Sequence, residues 1–218
     1  MSLRKNKRIV AIVVILVIAA SLICYGTWGI VQRYRATHGG DITIPSTTVT
    51  YSTDKPSETP PSVSCDPSNL EDNQPSKIEL PSANISGCIQ KVGIDQNGAI
   101  AVPSNIHLAG WYIGSVLPGE QGVSIIDGHV QGRYSSAIFT DLHKISPGEK
   151  IKIQFGSGTT REFEVVDVDN YTIEQTAKEQ YRQLKDIDKQ LTLITCGGEY
   201  ISKTQSYNER LVIRARLL

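Results

Sequence analysis

The sequence predicts an all-β domain with one short helix, preceded by a transmembrane helix and a disordered stalk. Three observations predict this arrangement: an uncharged apolar run at 9–31, a Ser-, Thr- and Pro-rich segment at 32–77, and short Val-, Ile- and Thr-rich runs over 78–218. The 218 residues carry 22 basic and 22 acidic side chains. This balance argues against a nucleic-acid-binding protein, because such proteins usually have a basic excess.

The run at 9–31 is the predicted membrane anchor. Its 23 uncharged residues would form a helix of about 35 Å, enough to cross a hydrocarbon core of roughly 30 Å. The tail at 1–8 holds four basic residues, whereas only Arg33 and Arg35 follow the run closely. This asymmetry places the N-terminus inside and the rest outside, so we expect a single-pass cell-membrane protein with an extracellular domain. A cleaved signal peptide and a buried core helix are the alternatives.

The segment 32–77 is the predicted stalk. Between residues 41 and 77 it contains 13 Ser or Thr residues and few large apolar ones. Such a composition cannot bury enough apolar surface to offset the entropy of ordering the chain. We therefore expect an extended spacer that holds the domain away from the membrane.

The four cysteines are assigned by compartment. Cys24 lies in the apolar run, while Cys65, Cys88 and Cys196 lie on the outer side, where disulfides persist. Three is an odd number, so at least one thiol stays free. A bridge between Cys65 and Cys88 is possible and would tie the stalk to the domain. No pair of cysteines has the spacing of a zinc site, so we expect neither a metal nor a cofactor.

The domain at 78–218 contains eight predicted strands and one helix. Turn signals such as Asn97-Gly98 and Ser146-Pro147-Gly148 separate the runs, which is typical of an antiparallel sandwich or barrel. A helix is predicted at 173–185, where apolar residues recur at helical spacing, and a helical turn at 136–142. The predicted strands are 88–92, 99–102, 106–112, 123–128, 150–155, 161–168, 191–195 and 210–217.

Cys196 is the candidate nucleophile. It follows the alternating run 191–195, and two glycines follow it, so the sequence places its sulfur at an uncovered strand end. A nucleophilic cysteine needs a base or a cation close by. The alternative is that Cys196 is a small buried apolar residue.

His129 is the candidate base, since it too directly follows a predicted strand and a glycine. His38 lies in the stalk, His107 within a predicted strand and His143 in a polar loop, so none of these is held at a strand end. A surface histidine without a role is the competing interpretation of His129.

Arg210 is the candidate oxyanion donor. It begins the last predicted strand 14 residues after Cys196, so a hairpin between the two strands would bring it level with the thiol. Arg214 and Arg216 lie on the same side of the strand by its two-residue period and are competitors, as is an ordinary solvated arginine.

Three stretches of this sequence resemble the motifs of the sortases, the membrane-anchored cysteine transpeptidases of bacterial surfaces. They are DGH at 127–129, TLITC at 192–196 and YNERLVI at 207–213. The likeness covers about 78–218, and the stretches AGWY at 109–112 and PGEQG at 118–122 are most similar to class F sortases.

The resemblance implies an eight-stranded β-barrel that cleaves an LPxTG-type sorting signal on surface proteins. Cys196 would form a thioacyl-enzyme, which an amine of a cell-wall precursor or of another protein resolves. His129 would be the general acid and base, Arg210 would stabilise the oxyanion or hold the substrate, and Thr195 would hydrogen-bond the substrate. The loop containing the predicted helix would shape the groove for the signal. Asp66-Pro67 lacks a following aromatic residue, which favours attachment to the wall over pilus assembly.

Two other functions remain open at this stage. The domain could be an exported cysteine hydrolase, with water replacing the amine, or a non-catalytic membrane-tethered binding module in which Cys196 is structural. The sequence also indicates no buried carboxylate beside His129. We therefore expect the thiolate–imidazolium pair to be a minority form at pH 7.

Overall fold

A computed structural model describes residues 56–61, 65 and 70–218 of the chain. The anchor predicted at 9–31 and most of the predicted stalk lie outside these residues. Within the described part, no helix combines the length and the apolar character needed to cross a membrane. The first strand of the described residues starts at Pro75, three residues before the predicted start of the domain at residue 78.

The described residues form a closed barrel of eight strands, which confirms the predicted all-β fold with one helix. The barrel order is β1-β2-β3-β4-β7-β8-β6-β5, and β5 pairs with β1 to close it. The strands are β1 Pro75–Leu80, β2 Ile85–Val92, β3 Ala109–Tyr112, β4 Gly122–Gly128, β5 Lys150–Phe155, β6 Thr160–Thr172, β7 Lys189–Ile201 and β8 Ser206–Leu217.

The strand pairing is mixed rather than purely antiparallel as predicted. β2 and β3 are parallel, and so are β4 and β7. Parallel neighbours need crossover connections, because a tight hairpin can join only antiparallel strands. The segment between β2 and β3 is one crossover, and the long excursion through β5 and β6 is the other. These crossovers place loops and a helix over one side of β7.

One predicted strand is wrong and another was missed. The run at 99–102 lies in the β2–β3 crossover and forms only an isolated bridge between Ile94 and Ile100. The Asp95 carboxylate accepts hydrogen bonds from the Asn97 and Ala99 backbone N–H groups, so a local turn competes with an extended strand. β1 was missed because it begins with Pro75, which a strand tolerates at its first residue.

The predicted helix at 173–185 is shorter in the structure. Helix α1 spans Ile173–Glu179 and begins with a capping box between Thr172 and Gln175. The helix does not continue because the buried Gln190 side chain captures the following segment: it accepts from the Leu184 N–H and donates to the Arg182 carbonyl. The helical turn predicted at 136–142 is displaced to a 3₁₀ turn at Leu142–Lys144.

The core fills the barrel interior and leaves the opposite face of β7 and β8 for other contacts. Leu191 and Leu193 of β7 point into the core together with Leu211 and Ile213 of β8. Because side chains alternate across a strand, the even-numbered residues of these two strands lie on the outer face. Cys196 and Arg210 belong to that outer face, over which α1 lies. The interior also contains Ile78, Leu80, Ile126, Phe139, Ile151, Ile153 and Phe163.

A disulfide joins Cys65 to Cys88, which leaves Cys196 as the free cysteine of the described residues. Cys88 is in β2, so the bond fixes the segment before β1 to the wall of the barrel. The free thiol is thus the one that the sequence singled out as the nucleophile.

Candidate active site

Cys196 and Arg210 lie directly opposite each other on the antiparallel strands β7 and β8. Side chains at directly opposed positions point to the same face, with their Cβ atoms about 4.5–5.5 Å apart. The predicted hairpin register is therefore present. The thiol is partly buried and the guanidinium is partly exposed at the same edge of the outer face.

The strand that carries Cys196 does not end there, contrary to the sequence prediction. β7 continues to Ile201, with a register shift between Gly197 and Tyr200. The thiol is uncovered for a different reason: the parallel neighbour β4 stops pairing at Asp127, opposite Ile194. Cys196 thus lies two residues beyond the last residue of β7 that pairs with β4, where the flank of β7 has no paired strand.

Gly197 and Gly198 allow this irregular stretch of β7. A Cβ on Gly197 would lie 2.9 Å from the backbone nitrogen of Leu211, so a side chain there would collide with β8. Gly198 has a φ of +73°, which L-residues rarely adopt. The glycines therefore shape the strand after the thiol rather than ending it.

His129 follows β4 directly, as predicted, and its ring is held by the β2–β3 crossover. Its Nε2 lies 2.8 Å from the carbonyl oxygen of Pro103. A carbonyl can only accept, so the neutral ring carries its proton on Nε2 and leaves Nδ1 as the free acceptor. The His129 carbonyl accepts the Phe139 N–H at 3.0 Å, which fixes the backbone at this corner.

Arg210 differs from the two other arginines of β8 in its partners. Its Nη1 donates to the carbonyl oxygens of Glu209 at 2.8 Å and Tyr207 at 3.3 Å. Buried Arg214 pairs with Asp167 and Glu179, and Arg216 pairs with Glu164 at 2.7 Å. Within the described part of the chain, Arg210 is the β8 arginine without a carboxylate partner, so its charge is available to a developing anion.

These groups share one groove of about 520 Å³. Asp127, Ile194, Thr195, Cys196 and Arg210 contribute to it from the barrel, and His129 lines it as well. One wall is the crossover around Ala99, Ile100 and Val102, and the other is α1 with the residues after it, Ile173, Ala177 and Tyr181. The predicted helix therefore does line the groove. Its walls are mainly apolar, which suits an extended peptide with apolar side chains.

Comparison with known proteins identifies the fold family. The family model for the sortase domain matches residues 78–218. The chain belongs to the sortase family. Sortase A from Corynebacterium diphtheriae, as a lid mutant, is 25% identical with a TM-score of 0.51, and the match covers 65% of this chain and 68% of that chain.

A second solved structure shows the same fold at lower identity. Group B Streptococcus pilus island 1 sortase C2 is 21% identical with a TM-score of 0.50, over 68% of this chain and 77% of that chain. No curated protein sequence matches the chain. Membership of the sortase family implies a cysteine transpeptidase.

Thr195 of this sortase hydrogen-bonds within the barrel, and its predicted contact with a substrate stays a prediction. Its side chain is 3% exposed, and its hydroxyl donates to the carbonyl oxygen of Gly128 at 2.8 Å. The hydroxyl therefore joins β7 to the end of β4, and Thr195 is also among the residues that line the groove. This bond fixes the residue before Cys196 to the residue before His129.

The protonation states of Cys196 and His129 are both shifted toward the neutral forms. Burial raises the pKa of the Cys196 thiol; the Arg210 charge opposes this shift, and Asp127 adds to it. Burial lowers the pKa of His129, with partial compensation from its hydrogen bond to Pro103. In the described residues no hydrogen bond joins the thiol to the imidazole. The resting sortase therefore favours a neutral thiol beside a neutral imidazole.

Asp127 is the site residue that sequence reasoning missed, and it corrects the expectation of no buried carboxyl beside His129. It is 6% exposed and lines the groove two residues before His129. Burial raises the pKa of Asp127 well above its usual value. The only sequence signal was an acidic residue inside an apolar strand run, which is rarely a solvated position.

The segment before Cys65 braces the loop that follows His129. Ser57 forms a parallel bridge with Asn105, and the carbonyl oxygen of Glu58 lies 2.9 Å from His107 Nε2. The Glu58 carboxylate accepts from the backbone N–H groups of Arg133 at 2.6 Å and Tyr134 at 2.9 Å. We call residues 56–61 the brace, since they connect the crossover that holds His129 with the loop after it.

The described part of the sortase holds no group of three or more His, Cys, Asp or Glu residues arranged to bind a metal ion.

Proposed function

We propose that this sortase is a membrane-anchored transpeptidase that joins proteins bearing an LPxTG-type sorting signal to an amine of the cell wall. The observation that supports this function best is the direct pairing of the free Cys196 with Arg210 in the groove that His129 also lines. A thiol, a cation and an imidazole that line one peptide-sized groove suit acyl transfer.

In the first step, the Cys196 sulfur attacks the carbonyl carbon before the scissile peptide bond. Arg210 stabilises the oxyanion that develops, or holds the substrate backbone. The carbon–nitrogen bond then breaks, and His129 donates a proton to the leaving amine, which gives a thioester on Cys196. The reactive form is thus the thiolate–imidazolium pair. Because the surroundings of both residues favour their neutral forms, only a minority of the enzyme molecules are in this form.

In the second step, the incoming amine attacks the thioester carbon. His129 accepts its proton, the carbon–sulfur bond breaks, and the thiolate is restored as the new amide leaves. Thr195 acts as a positioning residue in both steps, because its hydrogen bond to Gly128 fixes the strand ends that carry the thiol and the imidazole.

We further propose that the chain is a class F sortase with four parts. A basic tail at 1–8 lies inside the cell, residues 9–31 span the membrane, the stalk extends from 32, and the catalytic domain at 78–218 is extracellular. The charge asymmetry around 9–31 and the 23-residue uncharged run support this placement. The stretches at 109–112 and 118–122 support the subclass.

The proposal is tested with the purified protein and a fluorogenic LPxTG peptide, with and without triglycine. A product that contains triglycine, together with an intact-mass adduct on Cys196, is the expected result. Cleavage that does not depend on the amine indicates a hydrolase instead. Absence of any adduct, while iodoacetamide still alkylates the thiol, contradicts the proposed function. Cys196→Ala is the matched control and should give no adduct.

A further inference from the structure

Asp127 is a buried carboxyl in the groove that the transpeptidation steps do not use. Its side chain is 6% exposed, and its Oδ1 atom is buried without a hydrogen-bond partner. A buried acceptor left unpaired is unfavourable, because the lost hydration is not replaced. Such a group in a peptide-binding groove therefore requires a reason other than stability.

The neighbours of Asp127 keep space for the carboxyl and supply no donor side chain. Its partner on β3 is Gly110, and a Cβ there would lie 2.4 Å from Oδ1. On the other side of β4, Asp127 pairs with Ile194 of β7, which also lines the groove. The carboxyl thus lies between a residue without a side chain and an apolar one, on the outer face of the barrel.

The position of Asp127 relative to Cys196 indicates which part of a bound peptide it meets. Asp127 is opposite Ile194, and Cys196 is the next residue of β7 on the same face. Such diagonal neighbours are about 7–8 Å apart, which is close to two residues of an extended peptide. Asp127 is thus within reach of the residues that lie a few positions from the scissile bond.

We propose that Asp127 is a specificity-determining residue that hydrogen-bonds a neutral donor side chain, a hydroxyl or a carboxamide, of the bound sorting signal. The inference rests on the proposed function. An otherwise apolar groove with one buried polar group discriminates strongly against ligands that leave this group unpaired. Burial raises the pKa of the carboxyl well above its usual value, which favours a neutral partner over a cation.

The test measures single-turnover acylation of Cys196 by intact mass, using sorting-signal peptides that differ at one position at a time. At each position before the scissile bond, a peptide with Thr is compared with one with Val, and a peptide with Asn is compared with one with Leu. The two residues of each pair have similar shapes, but only the first has a hydrogen-bond donor in its side chain. At one position, the wild-type enzyme should acylate with the donor peptide roughly tenfold faster or more.

The variants Asp127→Asn and Asp127→Val separate hydrogen bonding from shape. The Asn variant should keep the preference for the donor peptide in weaker form, and the Val variant should lose or reverse it. Asp141→Asn is the matched control, since Asp141 is a partly exposed residue paired with Lys144 outside this groove. It should leave the preference unchanged.

Three outcomes would overturn the inference: no position at which the wild-type enzyme prefers a donor, an unchanged preference in Asp127→Val, or loss of the preference in Asp141→Asn as well. Each of these requires an enzyme that still acylates, so it leaves the proposed function intact. Absence of acylation with every peptide would instead contradict the proposed function. Thermal unfolding of each variant verifies that it is folded.

Discussion

Replacing Arg210 by Gln should raise the pKa of the Cys196 thiol, because the thiolate loses the nearest cation. The two residues are directly paired on β7 and β8, so their Cβ atoms are about 5 Å apart, and the separation of their charged groups is on the order of that distance. With an effective dielectric constant between about 20 and 80, Coulomb's law gives roughly 0.8–3 kcal/mol at that distance. Since about 1.4 kcal/mol corresponds to one pKa unit, we expect a rise of about one unit.

The assay is the pH dependence of the rate of Cys196 alkylation by iodoacetamide, followed by intact mass. In the wild-type protein the rate rises with pH as the thiol ionises, with a midpoint above the usual pKa of a cysteine. In Arg210→Gln the whole curve should move to higher pH. At a pH below both midpoints, the variant should therefore react about tenfold more slowly.

Arg216→Gln is the matched control for this measurement. Arg216 lies on the same face of β8 and is paired with Glu164. Six residues of strand separate it from Arg210, which is about 20 Å and beyond the Debye length of roughly 10 Å at 0.1 M salt. Its alkylation curve should match the wild type. An Arg210→Gln curve that is unshifted, or shifted to lower pH, would refute the electrostatic role of Arg210.

Three further predictions concern the surroundings of the groove. The double variant Cys65→Ser/Cys88→Ser should lower the free energy of unfolding by about 3 kcal/mol in denaturant titration, because the lost cross-link spans 23 residues; an unchanged midpoint would contradict this. Asp127→Val should raise the thermal midpoint, since it removes a buried acceptor without a partner; a clear decrease would count against that view of the carboxyl. Glu58→Gln should speed hydrogen exchange at the backbone amides of Arg133 and Tyr134, which the carboxylate accepts from; unchanged exchange there would show that the brace does not order this loop.

The pairing of Cys196 with Arg210 was predictable from the sequence because it depends on local rules. A hairpin centred midway between residues 196 and 210 sets Arg210 opposite Cys196 wherever the two strands end, so the error in the predicted strand ends did not alter the register. The position of His129 was predictable for a similar reason, as the residue after an apolar strand. Neither prediction needs knowledge of the rest of the barrel.

The features that were missed depend on residues distant in sequence. Burial of Asp127 requires Gly110 on a strand that pairs with β4, and the length of α1 is limited by Gln190 of β7. The exposure of Cys196 arises from where β4 stops pairing, not from the glycines that follow the thiol. Propensity and periodicity describe one segment at a time, so they could not reveal these contacts.

The bond between Cys65 and Cys88 closes a covalent ring that contains β1. A pulling force applied to the chain on the N-terminal side of Cys65 passes through the two sulfurs directly into β2. β1 therefore carries little of that load and is not peeled from the sheet first. A single protease cut between residues 66 and 87 would open the ring, yet the two fragments would remain one molecule until the bond is reduced.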